Sequence, residues 1–231
     1  MITSVSESLD ARYELKQAYS ELQIPELRSW IQMHPDGFRT AYPPRWVNSL
    51  YFDTHGLDTF NDHIAGVPVR RKLRYRWYGE DLTVARQGQV EVKNKSELAG
   101  WKVIEKLTPD FEFEGRSWAS LMDEFCRASS GLIRELLSVA RPVLLTVYHR
   151  EYFVSGDRQV RLTIDSKLKG YDQYFHARPN IKFKHRGDEQ VVLELKSRVG
   201  ELARLTQALS HFPARAVRYS KYVTNIWQDL V

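Results

Sequence analysis

The sequence predicts an α+β protein whose antiparallel sheet closes into a barrel, with charge inside and helices packed on an apolar exterior. Three observations predict it. Several segments alternate polar and apolar residues at period two, the mark of strands with two unlike faces. Patterns of helical period lie between them. The polar strand faces carry rows of Lys and Arg, with few of the Ser, Gln and Asn that ordinary hydration favours.

In chain order, Arg12, Glu14 and Lys16 oppose Tyr13 and Leu15, which reads as the first strand. Residues 25–33 read as a helix with Pro25 in its first turn, where proline is tolerated, and 56–64 as a second. Residues 69–78 put Arg70, Lys72, Arg74 and Arg76 on one face and Arg71, Leu73, Tyr75 and Trp77 on the other. In 89–95 the faces are Gln89, Glu91, Lys93 and Lys95 against Val90 and Val92. Helices follow at 117–127 and 130–139, the latter bracketed by Gly131 and Pro142. Arg161, Thr163 and Asp165 then oppose Val160, Leu162 and Ile164. Glu194 and Lys196 oppose Val191, Leu193 and Leu195, and a last helix covers 199–209.

One strand of this kind is ordinary, because a sheet with one face in water carries mixed charge. Five of them with stacked cations are not. Like charges about 6–7 Å apart repel by roughly 2–3 kcal/mol at an effective dielectric near 20. Rows of them in a closed space call for an anion. A barrel with its charges inside and helices outside accommodates the pattern.

Composition excludes other classes. The 231 residues suffice for one domain over 1–231, and 42% hydrophobic with 27% charged residues describes an ordinary folded chain. A net charge of +5 is a mild bias toward anionic partners. The single cysteine, Cys126, rules out an internal disulfide or a cysteine zinc site and reads as a half-buried helix residue. No run reaches the length of a membrane span, and the first residues lack the regions of a signal peptide, so a cytoplasmic location is expected. The seven histidines show no zinc spacing, and no phosphate-binding glycine loop or nucleophile elbow is present. The basic run 178–186, with Lys182, Lys184 and His185, reads as a solvated loop or as a widening of positive field at a barrel mouth. Trp30, Trp46, Trp77, Trp101, Trp118 and Trp227 read as packing residues.

The ordered pieces Arg12-Tyr-Glu-Leu-Lys16, Asn48-Ser-Leu-Tyr-Phe-Asp53-Thr, Lys72-Leu-Arg-Tyr-Arg-Trp-Tyr-Gly79 and Glu91-Val-Lys93 are followed by Tyr148-His-Arg150 and Val160-Arg161-Leu-Thr-Ile-Asp165. Glu194-Leu-Lys196 and Arg218-Tyr-Ser-Lys221-Tyr complete the set. Together they resemble the VTC (vacuolar transporter chaperone) polyphosphate-polymerase domain, a branch of the triphosphate tunnel metalloenzymes. The resemblance implies a tunnel of about eight antiparallel strands, within the usual range for small barrels. It implies Lys16, Arg74, Arg76, Lys93, Arg150, Arg161 and Lys221 as phosphate ligands, with Lys72, Lys95, Lys196 and Ser220 as additions. It also implies Glu194 as ligand of a divalent metal, Mn²⁺ or Mg²⁺, with Glu14 and Glu91 as further ligands or as groups that orient neighbouring cations. Arg matches phosphate oxygens bidentately and Lys supplies a point charge. Hard cations take one or two carboxylates and complete their shell with phosphate oxygens.

The activity so implied is transfer of the terminal phosphoryl group of a nucleoside triphosphate to a growing polyphosphate chain. Arg74, Arg76 and Lys93 would hold the donor, Arg150, Arg161 and Lys221 the acceptor, and Glu194 the metal. Arg12 stands where hydrolase branches carry a glutamate, which disfavours simple hydrolysis of tripolyphosphate or a nucleoside triphosphate. After the Tyr51-Phe-Asp strand the family carries a basic residue, and only His63 is available here. A non-catalytic polyphosphate sensor remains an alternative. A nucleic-acid-binding barrel ranks last, because Tyr75 and Trp77 oppose the basic face instead of interleaving with it. Any membrane step would fall to a separate partner.

Overall fold

A computed structural model describes residues 5–96, 99–184, 190–217 and 219–230. Of the residues singled out above, His185, Arg186 and Arg218 lie outside these, as does the side chain of Trp227.

Eight strands make the ring: β1 (Val5–Ser20), β2 (Arg39–Asp53), β3 (Val69–Tyr78), β5 (Gln89–Ser96), β6 (Ala99–Lys106), β8 (Arg141–Val154), β9 (Arg161–Asp172) and β10 (Gln190–Arg198). Their spatial order is β1-β10-β9-β8-β2-β3-β5-β6, every neighbour antiparallel, and pairing of β1 with β6 closes it. The short strands β4 (Val84–Ala85) and β7 (Phe111–Glu112) pair beside the ring. Helices α1 (Ile24–Met33), α2 (Asp58–Ile64), α3 (Trp118–Ala128), α4 (Gly131–Ser138), α5 (Leu202–Ser210) and α6 (Lys221–Leu230) connect or follow the strands.

Helices cover two apolar flanks of the exterior. Leu73, Tyr75, Trp77, Val90 and Val92 pack against Trp118, Leu121 and Phe125 of α3 and against Ile133 and Leu137 of α4. Leu162, Ile164, Leu193 and Leu195 pack against Leu27 and Ile31 of α1 and Leu205, Ala208 and Leu209 of α5. Backbone approach is closest at Gly88, where a Cβ would lie 2.1 Å from the Tyr75 ring, so the chain there takes no side chain. Trp101 departs from the packing expectation: it is exposed on β6.

Register decides which side chains meet inside. Arg74 lies opposite Glu91, Lys72 opposite Lys93, Glu14 opposite Lys196 and Lys16 opposite Glu194. Between β8 and β9 the pairing slips between Val147 and His149, and Lys167 takes up the extra residue at φ 54. The bulge brings Asp165 opposite Arg150.

Candidate functional site

Period-two alternation sends the polar faces of β1, β3, β5 and β10 into one cavity. β1 contributes Glu14 and Lys16; β3 contributes Arg70, Lys72, Arg74 and Arg76; β5 contributes Lys93 and Lys95. β8 and β10 add Tyr148, Arg150, Glu194 and Lys196, and Ser220 and Lys221 enter at the start of α6. Ten Lys and Arg line this space against two glutamates.

Acids behind and within the wall hold the cations in fixed poses. The Arg74 guanidinium donates to Glu91 Oε2 through Nε at 2.8 Å and Nη2 at 2.5 Å, and Arg76 lies 3.7 Å from the same carboxylate. Arg150 grips Asp165 with Nε at 2.5 Å and Nη2 at 2.6 Å, and Lys221 Nζ donates to the same Asp165 at 2.5 Å. Lys93 donates to both oxygens of Glu14 at 2.8 Å. Lys196 stands 3.5 Å from Glu14 and 3.3 Å from Glu194, with Lys16 3.7 Å from Glu194.

The protonation states follow. Burial works to raise Glu14, but Lys196, Lys93 and Lys16 outweigh both burial and the repulsion of Glu194, and bring it down to about 2. Burial likewise opposes ionisation of Asp165, which Arg150 and Lys221 hold at about 2. Glu91 and Glu194 are driven well below the usual carboxylate range in the same way, by Arg74, Arg76 and Lys102 in one case and by Lys196, Lys16 and Arg150 in the other. Lys93 and Lys72 feel the opposite pressure, while Lys16, against its burial, is raised by Glu194 and Glu14. Burial lowers Lys93 to about 8, and burial with Lys16, Lys93, Arg70 and Arg74 around it pushes Lys72 well down. Cations this crowded are short of negative charge.

The segment leading into α6 is stitched to the wall by these cations. Lys16 Nζ donates to the Tyr219 carbonyl at 3.1 Å and Lys72 Nζ to Ser220 Oγ at 2.8 Å. The expected site residues therefore meet in one space, with two exceptions. Arg161 is exposed at the start of β9, opposite Val154 and Lys196, and lines a neighbouring cleft with Arg12, Arg158 and Arg198. Glu91 lies behind the wall, about 1% exposed, engaged by Arg74, Gln89 and Lys102. Of its two expected roles, that geometry suits orientation of cations and leaves no face for a metal. The described part of the basic run near 178–184 is a loop whose Lys182 pairs with Glu114, away from the cavity wall. Asp165, Tyr148 and Tyr51 were missed as site residues, although the alternation of β9 already put Asp165 on its polar face.

Glu14 and Glu194 are the residues that fit a divalent metal. They lie diagonally across the β1–β10 pairing and both reach Lys196. Among the described residues no group of three or more His, Cys, Asp or Glu could hold a metal. Two carboxylates suffice where phosphate oxygens complete the shell.

An eight-stranded antiparallel ring with a cationic interior and helices outside has the fold of the triphosphate tunnel proteins. Within that class the chain belongs to the VTC domain family, whose model matches residues 11–228. It is 26% identical to vacuolar transporter chaperone complex subunit 2 of Saccharomyces cerevisiae, over 53% of this chain and 18% of that protein, so it spans under a fifth of that relative's length. Two solved structures are similar in fold. One is a candidate adenylate cyclase from Bacillus halodurans, at 15% identity and TM-score 0.52, over 92% of this chain and 96% of that one. The other is a candidate adenylate cyclase from Vibrio parahaemolyticus, at 11% identity and TM-score 0.51, over 92% and 97%. Among the described residues no helix is long and apolar enough to cross a membrane.

Proposed function

We propose that this chain is a metal-dependent polyphosphate polymerase that moves the terminal phosphoryl group of a nucleoside triphosphate onto a phosphate chain held in the tunnel. One observation carries the reading: among the described residues ten Lys and Arg line a single cavity against two glutamates, Glu14 and Glu194. A chain of phosphates supplies the missing charge along its length.

Phosphoryl transfer asks the protein for alignment and charge neutralisation more than for covalent help. Arg74 and Arg76, braced by Glu91, hold donor phosphates together with Lys93. Arg150 and Lys221, braced by Asp165, hold the acceptor chain, and Arg161 meets it further along, in the cleft that Lys196 shares. The bond from the transferred phosphorus to the donor's bridging oxygen breaks, and one forms to the terminal oxygen of the chain. A nucleoside diphosphate leaves, its new charge met by the same guanidinium groups. A Mn²⁺ or Mg²⁺ ion on Glu194 and Glu14 would supply further neutralisation of phosphate oxygens.

A second reading has its own support. Glu14 and Glu194 are both already neutralised by lysines, which suits a domain that binds polyphosphate without turnover. Incubation of the purified protein with ATP and Mn²⁺ separates the two. Polyphosphate on a gel, lost in Arg74→Ala and Glu194→Ala, supports the polymerase. Binding of polyphosphate without products supports the sensor, and orthophosphate without chains makes the protein a hydrolase.

A further inference from the structure

His63, on α2, stands in the wall of a cationic space with one ring nitrogen unpartnered among the described residues. Its ring lines the tunnel cavity and the adjoining cleft. Its Nδ1 is shut off from solvent and bonds to none of the described residues. The groups facing it are Lys16 from β1, Arg70 and Lys72 from β3 and Lys95 from β5. Tyr219, from the segment before α6, lines both spaces beside it. Asp58 and Asp62 are the acids of its own helix, and the cavity's two glutamates are engaged by lysines.

An imidazole in these surroundings is held neutral while the tunnel is empty. Burial first, and then Lys72, Arg70, Lys95 and Lys16, lower it to about 4. A phosphate oxygen placed there reverses both causes at once, because it brings a counter-charge and a hydrogen-bond acceptor. Lys or Arg at this position would add a permanent like charge to the crowd, whereas histidine adds one only when the ligand arrives.

We propose that His63 is a ligand of the phosphate chain that engages as an imidazolium, so that filling the tunnel takes up a proton at α2. The proposal rests on the tunnel binding a phosphate chain, and the two can fail separately. Its consequence is that affinity for polyphosphate strengthens with acidity in a range where Glu14 and Asp165, near 2, Glu194, also lowered, and Lys93, near 8, do not change.

The experiment is calorimetric titration with inorganic tripolyphosphate at pH 5.0, 5.75 and 6.5, in pairs of buffers of different ionisation enthalpy. Protonation of the ligand itself is common to all variants, so the comparison with His63→Gln isolates the residue. A linked proton changes affinity by about tenfold per pH unit between its free and bound pKa. Wild type should therefore lose up to about tenfold more affinity per unit of rising pH than His63→Gln, and take up close to one more proton. His63→Lys, charged throughout, should bind without the added slope and without the added proton. Equal slopes and equal proton uptake in wild type and His63→Gln, with both binding, would overturn the role of His63 alone. No binding by folded wild type would overturn the phosphate tunnel and this proposal with it.

Discussion

The hydroxyl of Tyr222 donates to the carboxylate of Asp53, joining the end of β2 to α6 across 169 positions of sequence. Asp53 also accepts from the backbone N–H groups of Thr54, Thr59 and Phe60, so one buried carboxylate holds the start of α2 and the start of α6 together. Tyr222 stacks near Tyr51 with ring centroids 5.1 Å apart, and Ser220 and Lys221 stand immediately before it in the cavity. The tunnel wall contributed by the C-terminal segment thus depends on a contact outside the cavity lining.

Tyr222→Phe tests that dependence. The ring still packs, but a hydrogen bond to a charged group is lost, and stability should fall by about 1.5–3 kcal/mol. Tripolyphosphate affinity should fall as well, because Ser220 and Lys221 lose their anchor. Urea unfolding and a binding titration read the two effects. Unchanged affinity in a destabilised variant would mean that Lys221 is held by Asp165 alone.

Arg74 and Glu91 separate binding from folding. Removing Arg74 leaves a buried carboxylate short of its nearest partner, so Arg74→Ala should cost about 3–5 kcal/mol as well as abolishing phosphate binding. Adding Glu91→Gln to Arg74→Ala removes the stranded charge and should recover most of the stability without recovering affinity. Recovery of both would show that Arg74 acts only as a partner for Glu91.

What the sequence revealed depended on how many faces of each strand stayed simple. β3 was legible because its alternation runs unbroken from Lys72 to Trp77, and parity alone placed Arg74 and Arg76 inside. β8 hid its period, since Leu144 and Tyr148 on its inner face are covered by Tyr222 and Tyr219. β6 hid it for another reason: Glu105 sits on the outer, apolar face, where its carboxylate accepts from Ser130 Oγ at 2.7 Å and from the Ser130 N–H at the start of α4. α6 reads locally as strand, with Val223, Thr224 and Ile226 β-branched, and is helical because Tyr222 and Ile226, four apart, pack together on Tyr51 and Leu144. Arg161 carried the right charge and parity, but nothing in the sequence says how far along the barrel a strand end lies.

Acid should unfold this protein through its tunnel carboxylates. Glu14 and Asp165 sit near 2, with Glu91 and Glu194 also lowered, against roughly 4 for the unfolded chain. Below the unfolded value the unfolded state binds more protons, so stability is full above about pH 4–5 and falls as pH drops toward 2. Asp165→Asn should make that decline shallower by about one proton. Denaturant midpoints measured from pH 5 to 2.5 give the slopes, and identical slopes would remove Asp165 from the account.

Alkali should weaken the tunnel before it unfolds anything, because the lowered groups there are lysines. Lys93, at about 8 in the empty cavity, is cationic below that value and neutral above it. Bound phosphate restores its charge at the cost of a proton drawn from solution, so affinity falls as pH rises past 8, by up to about tenfold per unit for each lysine involved. Lys72, lowered by burial and its cationic neighbours, adds to the same slope. Lys93→Arg keeps its charge throughout and should bind tripolyphosphate with a decline shallower by about one proton between pH 8 and 9.5. A slope unchanged in Lys93→Arg, with binding intact at pH 7, would assign the alkaline loss to Lys72 and leave Lys93 charged in the empty tunnel by its contact with Glu14.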